Sequence, residues 1–333
     1  MRSLYFLLPG TTQKFACGGL FAELKTLAIA QSICPSEIVT YRQREPNLLF
    51  LDDVLKQPSL NHVIFVASWG FDVPKLVARL KHHHVLYHAH SSGYGFRLPA
   101  KIPIMAVSRN TMGYWGQRSP NSLIYYLPNQ ISDEFSNFSS HRDIDVLVHT
   151  RKSSEYLVQQ LIPALQKRCN VCVIDTHVDS LANLFNRTKV YLYDSAEYWA
   201  QQRVSEGFGL QPMEAMACGC QVFSSVNGGL SDYLDPGFNC HKIAGYSTDF
   251  DVYRILNSVN QFVPNKLPES FLAQHRTDHI TKRLALILQE VNEFFDHSQQ
   301  QPSDIPELTP SRVISLRSQT LFVKLKKKLL SRR

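Results

Sequence analysis

Ser205-Glu206-Gly207-Phe208-Gly209-Leu210-Gln211-Pro212-Met213-Glu214-Ala215-Met216-Ala217-Cys218-Gly219 is the stretch on which the reading of this 333-residue sequence turns. It sets two carboxylates, Glu206 and Glu214, eight positions apart across a loop that turns into a helix. Proline suits the first helical position, because its missing N–H would have had no partner there. Pro212 therefore marks the expected helix start, with Glu214 in the first turn. Gly207 and Gly209 let the backbone come close to a ligand. Free N–H groups at a helix start draw anions such as a diphosphate. Carboxylates would repel the phosphates themselves, yet they are good acceptors for the hydroxyls of a sugar and a ribose. The combination predicts a nucleotide-sugar site.

The pattern runs on through Cys218-Gly219-Cys220, the strand Gln221-Val222-Phe223 and the turn Asn227-Gly228-Gly229-Leu230-Ser231-Asp232-Tyr233. As a block it resembles the Glu-x7-Glu signature of retaining glycosyltransferases of family 4, which have the GT-B fold. The resemblance implies an α/β chain of two Rossmann-like domains facing across a cleft. It also implies transfer of a sugar from a nucleoside diphosphate sugar to an acceptor hydroxyl, with retention of configuration. Glu214 would then accept hydrogen bonds from the ribose. Glu206 would hold and orient the donor sugar and stabilise positive charge at its anomeric carbon. Backbone N–H groups of Phe208, Gly209 and Leu210 would meet sugar or phosphate, and the leaving phosphate would take the acceptor's proton.

The resemblance further implies no metal and no cofactor besides the co-substrate, because an arginine and a lysine after the first strand of the second domain replace a divalent cation. Here Arg151 and Lys152 follow Val146-Leu147-Val148, adjacent where the family separates them. One of the two is expected to reach the diphosphate, with Arg203 as another source of charge. A fixed cation stabilises the charge that develops on the departing oxygen.

In the first half, Pro9-Gly10-Thr11-Thr12 and then Cys17-Gly18-Gly19 precede a helix and resemble the family's glycine loop, so Gly18 and Gly19 are donor-binding candidates. No Gly-x-Gly-x-x-Gly follows the first strand, which argues against a nicotinamide enzyme. His88-Ala89-His90 closes the fourth predicted strand, where the family has a histidine against the donor sugar. His90 is the first candidate and His88 the second; the alternative is that both only cap the strand. Three consecutive histidines at 82–84 cannot all face one ion from a regular element, so no metal site is expected. Gln130 stands where the family has glycine. The segment 194–204 is longer than the family's, and Glu197, Tyr198 and Trp199 read as a lid, an acceptor wall or plain packing.

Apolar runs of strand length alternate with helical segments, as in a parallel sheet covered on both faces. One series is Leu4–Leu8, Ile38–Tyr41, His62–Ala67, Val85–His88, Ile104–Ser108 and Ile124–Leu127. The other is Asp145–Val148, Val171–Ile174, Val190–Tyr193 and Val222–Ser224, with its clearest helix at Glu155–Lys167. The polar stretch 133–142 divides them, giving an acceptor-side domain at 1–135 and a donor-side domain at 140–297. Leu4–Leu8 is ended too early by Pro9-Gly10 to be a signal peptide and reads as a first strand. Seven cysteines in no framework spacing, with Cys169 and Cys172 read as buried apolar residues, predict a reducing cytoplasm.

Residues 298–333 form a linker and a basic tail. Eight of the 35 basic residues lie in 312–333 with no acid, and without them 27 bases face 28 acids. The net charge of +7 is thus a property of the tail, and the body gives no sign of nucleic-acid binding. Val313, Ile314, Leu321, Phe322, Leu325 and Leu329 share a helical face among the basic residues, which suits an anionic membrane surface. A solvated tail and a helix packed on the enzyme are the alternatives. Membrane binding would make a lipid-linked or cell-surface polysaccharide acceptor natural, on the inner face of the membrane. Two further readings are a catalytically silent nucleotide-sugar binder of the same fold and a membrane adaptor acting through its tail.

Overall fold

The computed structural model describes residues 1–176 and 178–330, so Arg332 and Arg333 of the basic tail lie outside the described residues. Seven parallel strands form the first sheet: β1 Ser3–Leu8, β2 Ser36–Thr40, β3 Leu49–Phe50, β4 Val63–Ala67, β5 His84–Ala89, β6 Ile104–Ala106 and β7 Ile124–Tyr126. They lie in the order β3-β2-β1-β4-β5-β6-β7. A second parallel sheet comprises β8 Ile144–His149, β9 Val171–Ile174, β10 Thr188–Tyr193, β11 Gln221–Ser224 and β12 His241–Lys242, in the order β12-β11-β10-β8-β9. The two-residue edge strands β3 and β12 are too short to show in a sequence pattern.

Continuous apolar runs make these strands because both faces are covered. Val63 to Ala67 of β4, for example, are all fully buried. The order reverses between β1 and β4 in one sheet and between β8 and β10 in the other. Ligands of such sheets bind beyond the strand carboxyl ends at these reversals. The glycine loop follows β1, His90 follows β5, Arg151 and Lys152 follow β8, and Glu206 follows β10, so the fold carries all of them to the same ends.

Two helices depart from expectation in informative ways. The segment read as one helix at Glu155–Lys167 begins with a π-helical turn, Leu157–Leu161, before the α-helix Ile162–Gln166. Pro163 lacks the N–H that a regular ladder needs, and the wider turn accommodates it. The helix Thr277–Gln300, which the division at 140–297 assigns to the second half, packs on the first sheet. Its Ile280, Leu284, Ile287, Leu288, Val291 and Phe295 share one face and one core with Leu4, Phe6, Ile64 and Leu86. Cys169 and Cys172 are half-buried rather than buried, Cys172 because it lies on the edge strand β9 and Cys169 because it lies in the turn before it; all seven cysteines are free thiols.

The tail forms the helix Pro310–Leu330, with Ile314, Leu321, Phe322 and Leu325 exposed. Its linker is tied to the first half, where Arg97 donates to the Leu308 carbonyl at 2.8 Å and Asn121 to that of Pro306 at 3.3 Å. No helix among the described residues is long and apolar enough to cross a membrane.

Candidate functional site

The helix carrying Glu214 spans Leu210–Ala217, two residues ahead of the expected start. Gly209 caps it at φ +78°, a left-handed conformation that glycine adopts without strain. Pro212 still lies in the first turn, where no N–H is needed. The N–H groups of Phe208, Gly209 and Leu210 have no hydrogen-bond partner among the described residues. Phe208 itself is core: its ring packs on Tyr233 and His275.

Glu206 and Glu214 are both buried but differently furnished. The Glu206 Oε2 atom accepts three hydrogen bonds, from Tyr193 Oη at 2.6 Å, Trp199 Nε1 at 2.6 Å and Ser195 Oγ at 3.2 Å. Burial and the Glu206 charge keep the Tyr193 phenol protonated and therefore a donor. All three donors converge on one oxygen, which fixes the carboxylate and leaves Oε1 its acceptor capacity. Tyr193 is the last residue of β10, and Ser195 and Trp199 belong to the longer segment between β10 and the signature. That segment forms the helix Ala196–Gln202 and braces the first glutamate. Of the three readings offered for it, packing is the one these contacts show.

The Glu214 carboxylate accepts no hydrogen bond among the described residues, although only 5% of the residue is exposed. Burial pushes its carboxyl up to about 7, against a pull from Lys25 of the opposite half and a further push from Glu134. A carboxylate that the fold leaves without a protein donor is a natural seat for a ligand hydroxyl.

Arg151 and Lys152 diverge. Arg151 Nη2 donates to the Ala16 carbonyl at 3.2 Å, which brings the guanidinium across to the loop before Gly18. Lys152, at φ +68°, turns its ammonium over the Trp199 ring, 4.6 Å from the centroid. Adjacent positions thus send one cation to the glycine loop and the other to the brace of Glu206. At Gly18 an added Cβ would meet nothing within 4 Å, and at Gly19 only the Cys17 sulfur at 3.8 Å, so the start of the helix Gly18–Gln31 is unobstructed.

Gly207 serves a different approach from the one its sequence suggested. A Cβ there would lie 1.5 Å from the carbonyl oxygen of His90, so the close neighbour is the other half of the chain. More contacts cross at the same place. Ser91 Oγ donates to the Ser205 carbonyl, and Ser205 N–H donates to the Ser92 carbonyl at 3.0 Å. Asp232 accepts from the N–H groups of Arg109 and Asn110 (the latter at 3.1 Å), capping a first-half helix from the second half.

His88 and His90, two residues apart, point to the same side and share one partner that the sequence reading missed. Glu23 Oε2 lies 2.5 Å from His88 Nδ1 and 2.7 Å from His90 Nε2. Glu23 is buried on the helix Gly18–Gln31, and its only sequence signal is a carboxylate on an otherwise apolar helix face. Burial alone would raise this carboxyl, but the two imidazoles outweigh it and hold it at about 2. The three groups are of metal-ligating type and lie within 4.8 Å of one another. Ligand atoms 2.5 Å apart on an ion at about 2.1 Å would subtend only roughly 75°, far from a tetrahedral angle. The separations are those of hydrogen bonds.

Residues 129–270 match the family model described as Glycosyl transferases group 1. Among solved structures, a glycosyltransferase from Rickettsia africae is similar with a TM-score of 0.60 and 10% identity, over 88% of this chain and 99% of that one. Sucrose-phosphate synthase from Thermosynechococcus elongatus superposes with a TM-score of 0.56 and 12% identity, over 90% of this chain and all of that one. The Anabaena protein Alr3699/HepE, solved in complex with UDP and glucose, gives 0.55 and 14%, over 90% and 99%. At such identities the likeness establishes the GT-B fold. No relative is found among curated proteins.

Proposed function

With a Glycosyl transferases group 1 domain at residues 129–270 on a GT-B scaffold, the chain is a glycosyltransferase, and we propose that it transfers a sugar with retention of configuration. The donor is a nucleoside diphosphate sugar, and the acceptor is a hydroxyl on a lipid-linked or cell-surface polysaccharide. The observation that carries this reading is the contrast between the two signature glutamates. Glu206 is held rigidly by three donors, whereas Glu214 is a buried residue whose carboxylate has no donor among the described residues.

On this reading Glu214 accepts the ribose hydroxyls that its buried carboxylate lacks in the free protein. The open N–H groups at Gly18 and Gly19 and the guanidinium of Arg151 face the diphosphate, and Arg151 stabilises the charge left on the departing oxygen. Lys152 acts from further off, through Trp199. Glu206, fixed through Oε2, offers Oε1 to the donor sugar and stabilises positive charge at the anomeric carbon. His90 contacts the sugar from the opposite half. No step calls for a metal, because Arg151 and the helix start supply the positive field. Structures of Alr3699/HepE with UDP-glucose on the same scaffold support a nucleotide-sugar donor.

The tail helix, basic and apolar-faced, would hold the enzyme on the anionic inner face of a membrane, beside a lipid-linked acceptor. The test of retention is the anomeric configuration of the first-formed product by proton NMR. Transfer that keeps the donor's configuration supports the reading, and inversion overturns it.

A further inference from the structure

Glu23 is an acceptor-only group on both of its hydrogen bonds when ionised, and the two imidazoles that surround it keep it ionised. Each ring nitrogen facing Oε2 must then carry a proton. His88 donates through Nδ1 and His90 through Nε2, so the same oxygen imposes opposite tautomers on two histidines two residues apart. The remaining His88 nitrogen, Nε2, is buried without a partner. A bare lone pair is tolerated there, whereas an N–H would be an orphaned donor. His90 is different: 13% of its side chain remains open, and its carbonyl abuts Gly207 of the signature loop.

We propose that Glu23 is a positioning residue that locks His90 in the Nε2–H tautomer, so that the imidazole offers Nδ1 to the cleft as a hydrogen-bond acceptor. The chemistry that fits is a hydroxyl of the donor sugar that donates a proton in a hydrogen bond. A sugar carrying only an acceptor at that carbon, such as a fluorine, finds no complement. Burial lowers the affinity of the His90 ring for a second proton, in keeping with a bare Nδ1. A histidine with a wrong or mixed tautomer presents an N–H where an acceptor is needed, and the interaction turns repulsive. The match to a donor hydroxyl rests on the function proposed above; the tautomer lock does not.

The experiment reads ring-nitrogen chemical shifts in the full-length protein labelled with ¹⁵N-histidine, the His90 signals being assigned by their loss in His90→Gln. With no donor present, the expected spectrum at neutral pH shows His90 protonated at Nε2 and bare at Nδ1. In Glu23→Gln the amide can turn its NH₂ to Nε2, so His90 should move to a mixture of tautomers. Glu23→Asp, which keeps a shorter carboxylate, should return toward the native spectrum. Turnover should fall about ten- to a hundredfold in Glu23→Gln, while affinity for the free nucleotide is unchanged. A His90 that carries its proton on Nδ1 in the native protein overturns the proposal, and so does a spectrum indifferent to Glu23→Gln. Added zinc that shifts both ring systems, reversed by chelator, would equally overturn it by making the cluster a metal site. If Glu23→Gln fails to fold, the native spectrum still decides. Because that spectrum needs no donor, a failed tautomer and a failed donor assignment are distinguishable.

Discussion

The α-carbon of Gly207 lies against the carbonyl oxygen of His90, so close that a Cβ at Gly207 would come within 1.5 Å of it. The signature loop of one half therefore rests directly on the strand end of the other. Backbone meets backbone, and no rotamer change can relieve an added methyl. Gly207→Ala should part the two halves at the site. The expected outcome is a loss of about 1–3 kcal/mol in stability, the usual range for overpacking, with a fall in kcat/KM. Thermal unfolding and steady-state turnover measure the two; an alanine variant with native kcat/KM would show that the contact is incidental.

Trp199 holds Glu206 through its indole N–H at 2.6 Å. Trp199→Phe keeps most of the ring but removes that donor, leaving Tyr193 and Ser195 on the same oxygen. Hydrogen bonds to charged groups contribute about 1.5–3 kcal/mol. We expect kcat to drop about tenfold or more while free-nucleotide affinity, measured by calorimetry, stays native. Equal losses in both would mean that Trp199 supports the pocket as a whole and not Glu206.

The buried Glu214 carboxyl, raised from 4.5 to about 7, gives stability a pH signature. Between those values the unfolded chain releases the proton while the folded chain keeps it. The contribution of Glu214 to stability is therefore intact below pH 4.5 and is lost as pH rises through about 7. Glu214→Gln removes this dependence and should be more stable relative to the native protein at pH 8 than at pH 5, as read from denaturant midpoints. Nucleotide affinity should run the other way in the native protein, tightening as pH rises through 7 and the carboxylate forms. Affinity flat from pH 6 to 8 would separate Glu214 from the ribose.

Arg151 and Lys152 are neighbours with different destinations. Arg151→Ala should weaken binding of free nucleoside diphosphate and lower kcat, because the cation facing the glycine loop is gone. Lys152→Ala should have the smaller effect on diphosphate affinity, since its ammonium stacks on Trp199. The reverse ranking would place Lys152, and not Arg151, on the phosphates.

The tail predicts salt-sensitive partition. Full-length protein should float with vesicles rich in anionic lipid and stay behind with neutral ones, and deletion of residues 303–333 should abolish flotation while leaving donor turnover in solution. Flotation that survives the deletion would move the membrane surface to the body.

The signature loop and its helix were legible because their determinants are local. Two glutamates, two glycines and a proline within one loop and helix start identify themselves by spacing. Residues that act through tertiary contact were not. Glu23 meets its histidines 65 and 67 positions away, and only the packing of a helix on β5 reveals it. Gly207 was read as a place where a ligand comes close to the backbone, whereas the atom that approaches it is the carbonyl oxygen of His90, which no local pattern could reveal. The helix Thr277–Gln300 shows the same boundary: its apolar face was readable, while the sheet it would cover was not. Neither could spacing tell that Arg151 and Lys152 part company, because a left-handed φ at Lys152 decides it.

The most direct measurement is slow hydrolysis of a panel of UDP-, GDP- and ADP-sugars in the presence of chelator, comparing the native protein with Glu206→Ala and Glu214→Ala. A metal-independent transferase with its donor seated between these glutamates should turn over one donor, undiminished by the chelator, and lose that turnover in both variants. Tight binding of a nucleotide without any turnover, or turnover that needs a divalent cation or survives both substitutions, would contradict it.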